Sequence, residues 1–213
     1  MSLGDKKYWN EYWTDNKERN SFFNTLVSLA RKYYFAKAFA VFINKNFPVK
    51  DKAVYEIGSG SGLTLSYLKK FGAKKCVGVD YSEEAIKMAK ENCSDCEFIQ
   101  GDAFNLSNIK EKSCDFVYSL GFFEHYSREE QKQLLAEQRR IARECVFIEV
   151  PCDILHVRLL YSFNTKMGRT NTFSNEELFR DKTFREIGLK GETKMMPGTF
   201  FITIGHFEYL FKK

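Results

Sequence analysis

Glu56, Gly58, Gly60 and Gly62 alternate along Val54-Tyr55-Glu56-Ile57-Gly58-Ser59-Gly60-Ser61-Gly62, where an apolar run meets a glycine-rich turn. Glycine tolerates positive φ and lets the backbone approach a ligand closely, and a helix starting at Leu63 would offer unpaired N–H groups to the same ligand. A tight turn without a ligand is the competing reading. Asp80 follows Gly58 by 22 positions and ends a second apolar run, where a carboxylate can accept both hydroxyls of a ribose. Asp102 ends a third run in Gln100-Gly101-Asp102-Ala103, and the stretch from Ser119 to His125 ends a fourth. An unperturbed histidine titrates near neutrality, which makes His125 a candidate proton acceptor.

The elements that must position these residues alternate regularly. Apolar runs at 53–57, 76–79, 96–99, 114–120 and 145–150 are separated by helical patterns at 63–71, 83–92, 109–112 and 128–143. Continuous apolar runs fit strands buried on both faces, and their alternation with helices implies a parallel sheet with right-handed crossovers. Ser174 and Glu177 have the spacing of a capping box and predict a helix through about Gly188. Residues 190–211, broken by Pro197-Gly198, predict two further strands joined by a turn. The expected fold is therefore α/β: a doubly wound, mostly parallel seven-stranded sheet with a C-terminal antiparallel hairpin, preceded by an N-terminal helical extension. The expected division is an extension over 1–48 and the α/β domain over 49–213. All four ligand segments would then open onto one crevice at the carboxyl ends of the strands.

A dinucleotide fingerprint would need a third Gly or Ala where Leu63 stands, and no Gly-Lys-Ser/Thr follows the turn as a P-loop would require. The chain instead resembles the class I S-adenosylmethionine-dependent methyltransferase family. The residues that carry the resemblance are Glu56-x-Gly58-x-Gly60-x-Gly62, Asp80, Gly101-Asp102-Ala103 and Glu124-His125, in the family's order and spacing. It covers residues 50–150 closely and the closing hairpin loosely. The resemblance implies S-adenosyl-L-methionine as cofactor, its methionyl end on the glycine turn with Glu56 behind. It also implies Asp80 on the ribose, Tyr81 beside the adenine, and Asp102 with the Ala103 backbone on the adenine edge. Ser119, closing the fourth strand, completes the cofactor set. For Tyr81, simple packing remains an equal reading.

Methyl transfer from a sulfonium is an in-line displacement that mainly needs alignment and exclusion of water. The expected activity is methylation of a small-molecule acceptor. His125 is the candidate base, against a structural role in hydrogen-bonding the backbone at a helix start. Phe122, Phe123 and Tyr126 either line an acceptor pocket or pack at the sheet edge. Tyr8, Trp9, Tyr12 and Trp13 share one side of a short helix and are expected to cover the acceptor side as a lid, against the reading of an ordinary docked helix.

Composition bounds the remaining classes. The 213 residues are 44% hydrophobic and 29% charged with three prolines, which excludes collagen-like and disordered chains. No apolar run approaches the ~18 residues of a membrane span, and the charged N-terminus lacks a secretory core, so a cytoplasmic protein without membrane partners is expected. Residues 1–50 hold nine Lys/Arg against four Asp/Glu while the rest is balanced. That excess lacks the density of a nucleic-acid stripe. RNA or other nucleic-acid methylation is one alternative, and a non-catalytic cofactor-binding subunit is another. The Asn/Asp-Pro-Pro-aromatic loop of amino-methylating DNA enzymes is absent, and Cys152 lacks the companion cysteine of cytosine-carbon RNA methylases. Without an export signal the six cysteines are expected as reduced thiols. Cys93-x-x-Cys96 has no second ligand pair, so no metal is expected.

Overall fold

The computed structural model describes residues 22–166, 177–196 and 203–210. Helix α1 (Phe22–Asn46) precedes β1 (Ala53–Ile57), α2 (Leu63–Lys70), β2 (Lys75–Asp80), α3 (Glu83–Asn92), β3 (Glu97–Gln100) and β4 (Cys114–Leu120). A 3-10 turn (Phe123–His125) leads into α4 (Arg128–Ile141), β5 (Ala142–Pro151), α5 (Leu155–Lys166), α6 (Asp181–Glu186), β6 (Glu192–Met195) and β7 (Thr203–Tyr209). The seven strands lie in the order β3-β2-β1-β4-β5-β7-β6. β1 to β5 pair in parallel, and β7 runs antiparallel between β5 and β6. The strand order reverses between β1 and β4, which opens a crevice at their carboxyl ends.

Period-two alternation along each strand feeds two apolar layers. Val117 of β4 joins Ile57, Val77, Leu134 and Val146 on one face. Its neighbours Phe116 and Tyr118 join Val54, Leu65, Phe147 and Phe207 on the other. The second face is covered in part by α1, whose Ala40, Phe42 and Ile43 are buried there with Phe47 just after it, the Phe42 ring lying 6.1 Å from Phe147 and 5.8 Å from Phe207. Coverage on both faces explains why the parallel strands read as continuous apolar runs.

Side-chain caps start α3 and α4. Ser82 accepts from the Ala85 N–H at 3.4 Å, and Ser127 forms a reciprocal capping box with Glu130. Several boundaries differ from the sequence expectation. Residues 109–112 form a turn without a helix, and β5 begins three residues early at Ala142, straight off α4. The helix expected from Ser174 begins at Asp181 instead, with the Arg180 N–H donating to Thr183 Oγ1. Ser174 itself and Pro197-Gly198 lie outside the described residues, as do Tyr8, Trp9, Tyr12 and Trp13.

Between Pro151 and Phe179 the chain makes an excursion whose two ends meet. The Asp153 N–H donates to the Phe179 carbonyl at 2.8 Å, and the Phe179 N–H to the Pro151 carbonyl at 2.9 Å. Asp153 also pairs with Arg158 and, at 2.6 Å, with Arg180. Among the described residues, no helix is long and apolar enough to cross a membrane.

The expectation of six reduced cysteines is corrected at one pair: Cys93 and Cys96 form a disulfide. The α3-to-β3 connection is short enough to bring the two sulfurs together, whereas Cys76, Cys114, Cys145 and Cys152 are buried free thiols. No cluster of His, Cys, Asp and Glu suited to a metal occurs among the described residues.

Candidate active site

The glycine turn joins β1 to α2 with Gly58, Gly60 and Gly62 at φ of 73°, 47° and 67°. These are left-handed values that L side chains adopt only with strain. The Gly58 and Ser59 N–H groups both donate to the Val79 carbonyl, at 2.9 and 3.0 Å, which ties the turn to the end of β2. A Cβ on Gly58 would stand 2.6 Å from the Phe122 ring, and one on Gly62 would stand 2.7 Å from the Phe98 ring. The loop is therefore held between two aromatic rings with no room for a side chain at position 58 or 62.

Asp80 supplies the second tie. Its Oδ2 accepts from the Gly60 N–H at 2.8 Å and its Oδ1 from the Ser82 N–H at 2.9 Å. Burial raises the Asp80 pKa, and these backbone donors oppose the shift. Below the turn, Glu56 is buried, and loss of solvation raises its pKa well above the ordinary value; the Tyr118 hydroxyl opposes the shift and Asp80 adds to it. Glu56 Oε2 and Ser59 Oγ have no hydrogen-bond partner within the described residues. The Glu56 carboxyl lies beside the Tyr118 hydroxyl, and Ser59 Oγ stands 2.7 Å from where a Cβ on Gly78 would be, so polar groups line the underside of the turn. This set fits S-adenosylmethionine, whose ammonium, carboxylate and ribose would meet Glu56, the turn and Asp80.

The structure brings the other sequence-predicted residues to the same strand ends, with different exposures. Tyr81 stands at the rim, 39% exposed, and its carbonyl accepts from Gln100 Nε2 at 3.2 Å. Asp102 caps its own turn through the Phe104 N–H, and Ala103 follows half-buried. Ser119 is fully buried, its hydroxyl 3.5 Å from Gln138 Nε2 on α4, so its side chain faces the helix layer. Phe123 is fully buried in the core, whereas Phe122 and Tyr126 are half-buried with ring centroids 5.0 Å apart. Phe104 meets Tyr126 edge-on at 5.2 Å. Burial pushes the Tyr126 hydroxyl pKa up, and the carboxylates of Asp80, Asp102, Glu130 and Glu124 add to that shift.

His125 Nε2 lies 3.1 Å from the Gly121 carbonyl. A carbonyl only accepts, so Nε2 carries the proton and Nδ1 the lone pair. Burial lowers its pKa to about 4, which leaves the ring neutral near pH 7.

Several positioning residues escaped the sequence reading. Glu149 Oε2 accepts from the Gly121 N–H at 2.9 Å, which pins the turn that holds His125. A lone carboxylate in the apolar run 145–150 was the available signal. Gln131 Nε2 donates to the Phe123 and Tyr126 carbonyls at 3.0 and 2.9 Å. Arg128 pairs with Glu177 at 2.5 Å, which fastens the end of the excursion to the same turn. No local pattern announces those long-range partners.

Comparison with known proteins agrees with this geometry. Residues 55–146 match the model of a family described as a methyltransferase domain. A putative protein N5-glutamine methyltransferase of Methanocaldococcus jannaschii is 47% identical over 60 residues, 26% of this chain and 30% of that protein. An uncharacterized RNA methyltransferase of Clostridium acetobutylicum is 39% identical over 70 residues, 30% of this chain and 15% of that protein. The chain thus spans less than a third of the length of these curated relatives. Among solved structures, the magnesium protoporphyrin IX methyltransferase of Synechocystis with bound S-adenosylhomocysteine superposes with a TM-score of 0.72. It is 17% identical over 96% of this chain and 97% of that one, a likeness of fold.

Proposed function

We propose a function from the premise that this chain belongs to the class I S-adenosylmethionine-dependent methyltransferases: it transfers the cofactor's methyl group to a small-molecule acceptor. The observation that supports the cofactor assignment is the left-handed glycine turn tied to the Asp80 carboxylate, with the buried Glu56 carboxyl beneath it. Bound there, the cofactor supplies an electrophilic methyl group on a sulfonium. The glycine turn and Asp80 bind and orient it, and the rings of Phe122, Tyr126 and Phe104 exclude water from its neighbourhood. Good orientation alone can supply about 7–11 kcal/mol of barrier reduction.

Charge around the crevice favours a small acceptor over a polyanion. Tyr126 lies in the field of four carboxylates, those of Asp80, Asp102, Glu130 and Glu124. Of these, Asp102 and Glu130 reach solvent, where a nucleic-acid backbone would meet like charge and a neutral or cationic small molecule would not. Methylation of RNA or of a protein glutamine, which the names of two relatives carry, is the second reading. His125 fits a positioning role. A histidine whose conjugate acid has a pKa of about 4 is a weak base near neutrality, and its proton-bearing nitrogen already holds Gly121. An acceptor that sheds its proton without a protein base, such as a neutral amine, matches that site. Tyr8, Trp9, Tyr12 and Trp13 are proposed from sequence to cover the acceptor side.

The deciding experiment is radiolabelled methyl transfer to three panels: small amines and alcohols, total RNA, and unfractionated protein. Turnover confined to the first panel supports the reading. Label in RNA or protein with none in small molecules overturns the acceptor class. Tight binding of S-adenosylhomocysteine with no turnover in any panel favours a non-catalytic subunit.

A further inference from the structure

The disulfide between Cys93 and Cys96 stands where the glycine turn is gripped from behind. Cys93 follows the last residue of α3, and its N–H donates to the Ala89 carbonyl at 3.0 Å; Cys96 immediately precedes β3. The same two elements hold residues 61 and 62 of the ligand turn. Asn92 Nδ2, one residue before Cys93, donates to the Ser61 carbonyl at 2.8 Å. Phe98, two residues after Cys96, lays its ring against Gly62, and the Ala89 methyl closes Gly62 from the α3 side, 2.7 and 3.0 Å from where a Cβ would be. The Phe98 ring also packs on Gly78 of β2, 2.6 Å from an ideal Cβ there. The disulfide therefore links the two arms of a clamp, and the turn lies between them.

We infer that Cys93–Cys96 is a thiol-exchange site whose redox state sets how firmly the turn holds S-adenosylmethionine, and that its chemical partner is a dithiol reductant. The inference rests on the cofactor reading above. A thiolate of the reductant attacks one sulfur, Cys96 being the half-buried and more accessible one, and the Cys93 thiolate leaves. The second thiol of the reductant then resolves the mixed disulfide. The reductant ends as a disulfide, and the protein gains two electrons and two protons as two thiols. Access is one-sided: Ser94 and Asp95 are exposed while Cys93 is buried. The four remaining cysteines are poor competitors. Burial pushes Cys76 to about 11 and Cys114 to about 12 and raises Cys145 and Cys152, which keeps their thiols protonated and unreactive. A bridge spanning three positions constrains the unfolded chain little, so its effect is local, on the α3-to-β3 connection and what that connection holds.

The test uses the full chain in two states, purified without reductant and treated with dithiothreitol. Three quantities are read: alkylation of Cys93 and Cys96 by mass spectrometry, affinity for S-adenosylhomocysteine by calorimetry, and hydrogen exchange of the peptide covering residues 56–66. The expected result is protection of both cysteines from alkylation before reduction. After it, affinity falls about fivefold or more, the low end of ordinary coupling between sites, and exchange of the turn quickens. The double variant Cys93→Ser/Cys96→Ser should bind like the reduced protein with or without dithiothreitol. Free cysteines in the untreated protein that also resist closure by oxidised dithiothreitol would overturn the inference. So would equal exchange and equal affinity in the two states. If neither state binds S-adenosylhomocysteine, the cofactor reading falls instead, and the exchange comparison still decides whether the bridge controls the turn.

Discussion

Replacing Asp80 by alanine is the most direct test of how the crevice holds a nucleoside. An ionised carboxylate offers about four acceptor positions. The Gly60 and Ser82 N–H groups take one on each oxygen, at 2.8 and 2.9 Å, and the Tyr81 N–H takes a third, which leaves a position for a ribose hydroxyl. Hydrogen bonds to a charged group contribute about 1.5–3 kcal/mol. Asp80→Ala should therefore weaken S-adenosylhomocysteine by about 10- to 150-fold, since 1.36 kcal/mol is a factor of ten. The same change releases Gly60, so the urea midpoint should also fall. Asp80→Asn, which keeps one acceptor oxygen and loses the charge, should lie between parent and alanine in both measurements. Calorimetry at matched ionic strength and urea unfolding followed by circular dichroism separate ligand affinity from folding. A cooperatively folded Asp80→Ala protein whose affinity stays within about a factor of two of the parent would refute the assignment, because no hydrogen bond of that strength could then have been lost.

Gly62→Ala should cost about 2–5 kcal/mol of stability in urea titration, from a left-handed φ of 67° and a methyl driven into the Phe98 ring; a loss under about 1 kcal/mol would mean that the ring yields freely. Glu56→Gln should weaken cofactor binding yet gain stability over the parent as pH rises. The folded-state pKa of Glu56 is raised, so its stabilising contribution is complete below the unfolded value near 4.3 and is lost as pH climbs through the folded value. A stability difference that stays flat with pH would remove burial as the cause. His125 acts in the other direction: depressed to about 4 when folded, it leaves full stability above about pH 6.5 and draws it down as pH falls towards 4. His206, also depressed by burial, adds to that slope, so the measurement is the difference between the parent and His125→Asn over pH 7 to 4.5. Superimposable pH profiles would show that His125 is solvated.

The parts of the fold readable in sequence are those written in local periodicity. Val54 to Ile57 and the glycines after them announce a buried strand running into a ligand turn because neither feature depends on a distant partner. Ala142 and Arg143 read as helix because both are good helix formers; Arg143 instead binds Asp115 of β4 at 2.8 Å. The helix expected at Ser174 fails for a similar reason: Glu177 serves Arg128 and Gln131 rather than a cap on its own helix. Phe98 looked like any strand residue, and only the packed structure shows its ring against both Gly62 and Gly78. Asp80 was legible as a ligand group from its place at a strand end, while its bond to Gly60 was not, because that bond exists only once β1 and β2 pair.

The closure at Pro151 and Phe179 separates the sheet from whatever hangs between those residues. Both ends of the excursion are tied to one point at the mouth of the crevice by two backbone hydrogen bonds and by Asp153 with Arg180. A chain segment that leaves and returns through the same gate can change length without moving any strand register, since doubling a loop adds only about 0.6 kcal/mol of closure entropy, provided that the buried Val157 and the Arg128–Glu177 pair are kept. The cofactor half of the crevice is built from β1, β2 and β4 and does not share that freedom. Exchanging the segment between Pro151 and Phe179 should thus leave the β1, β2 and β4 side of the crevice in place.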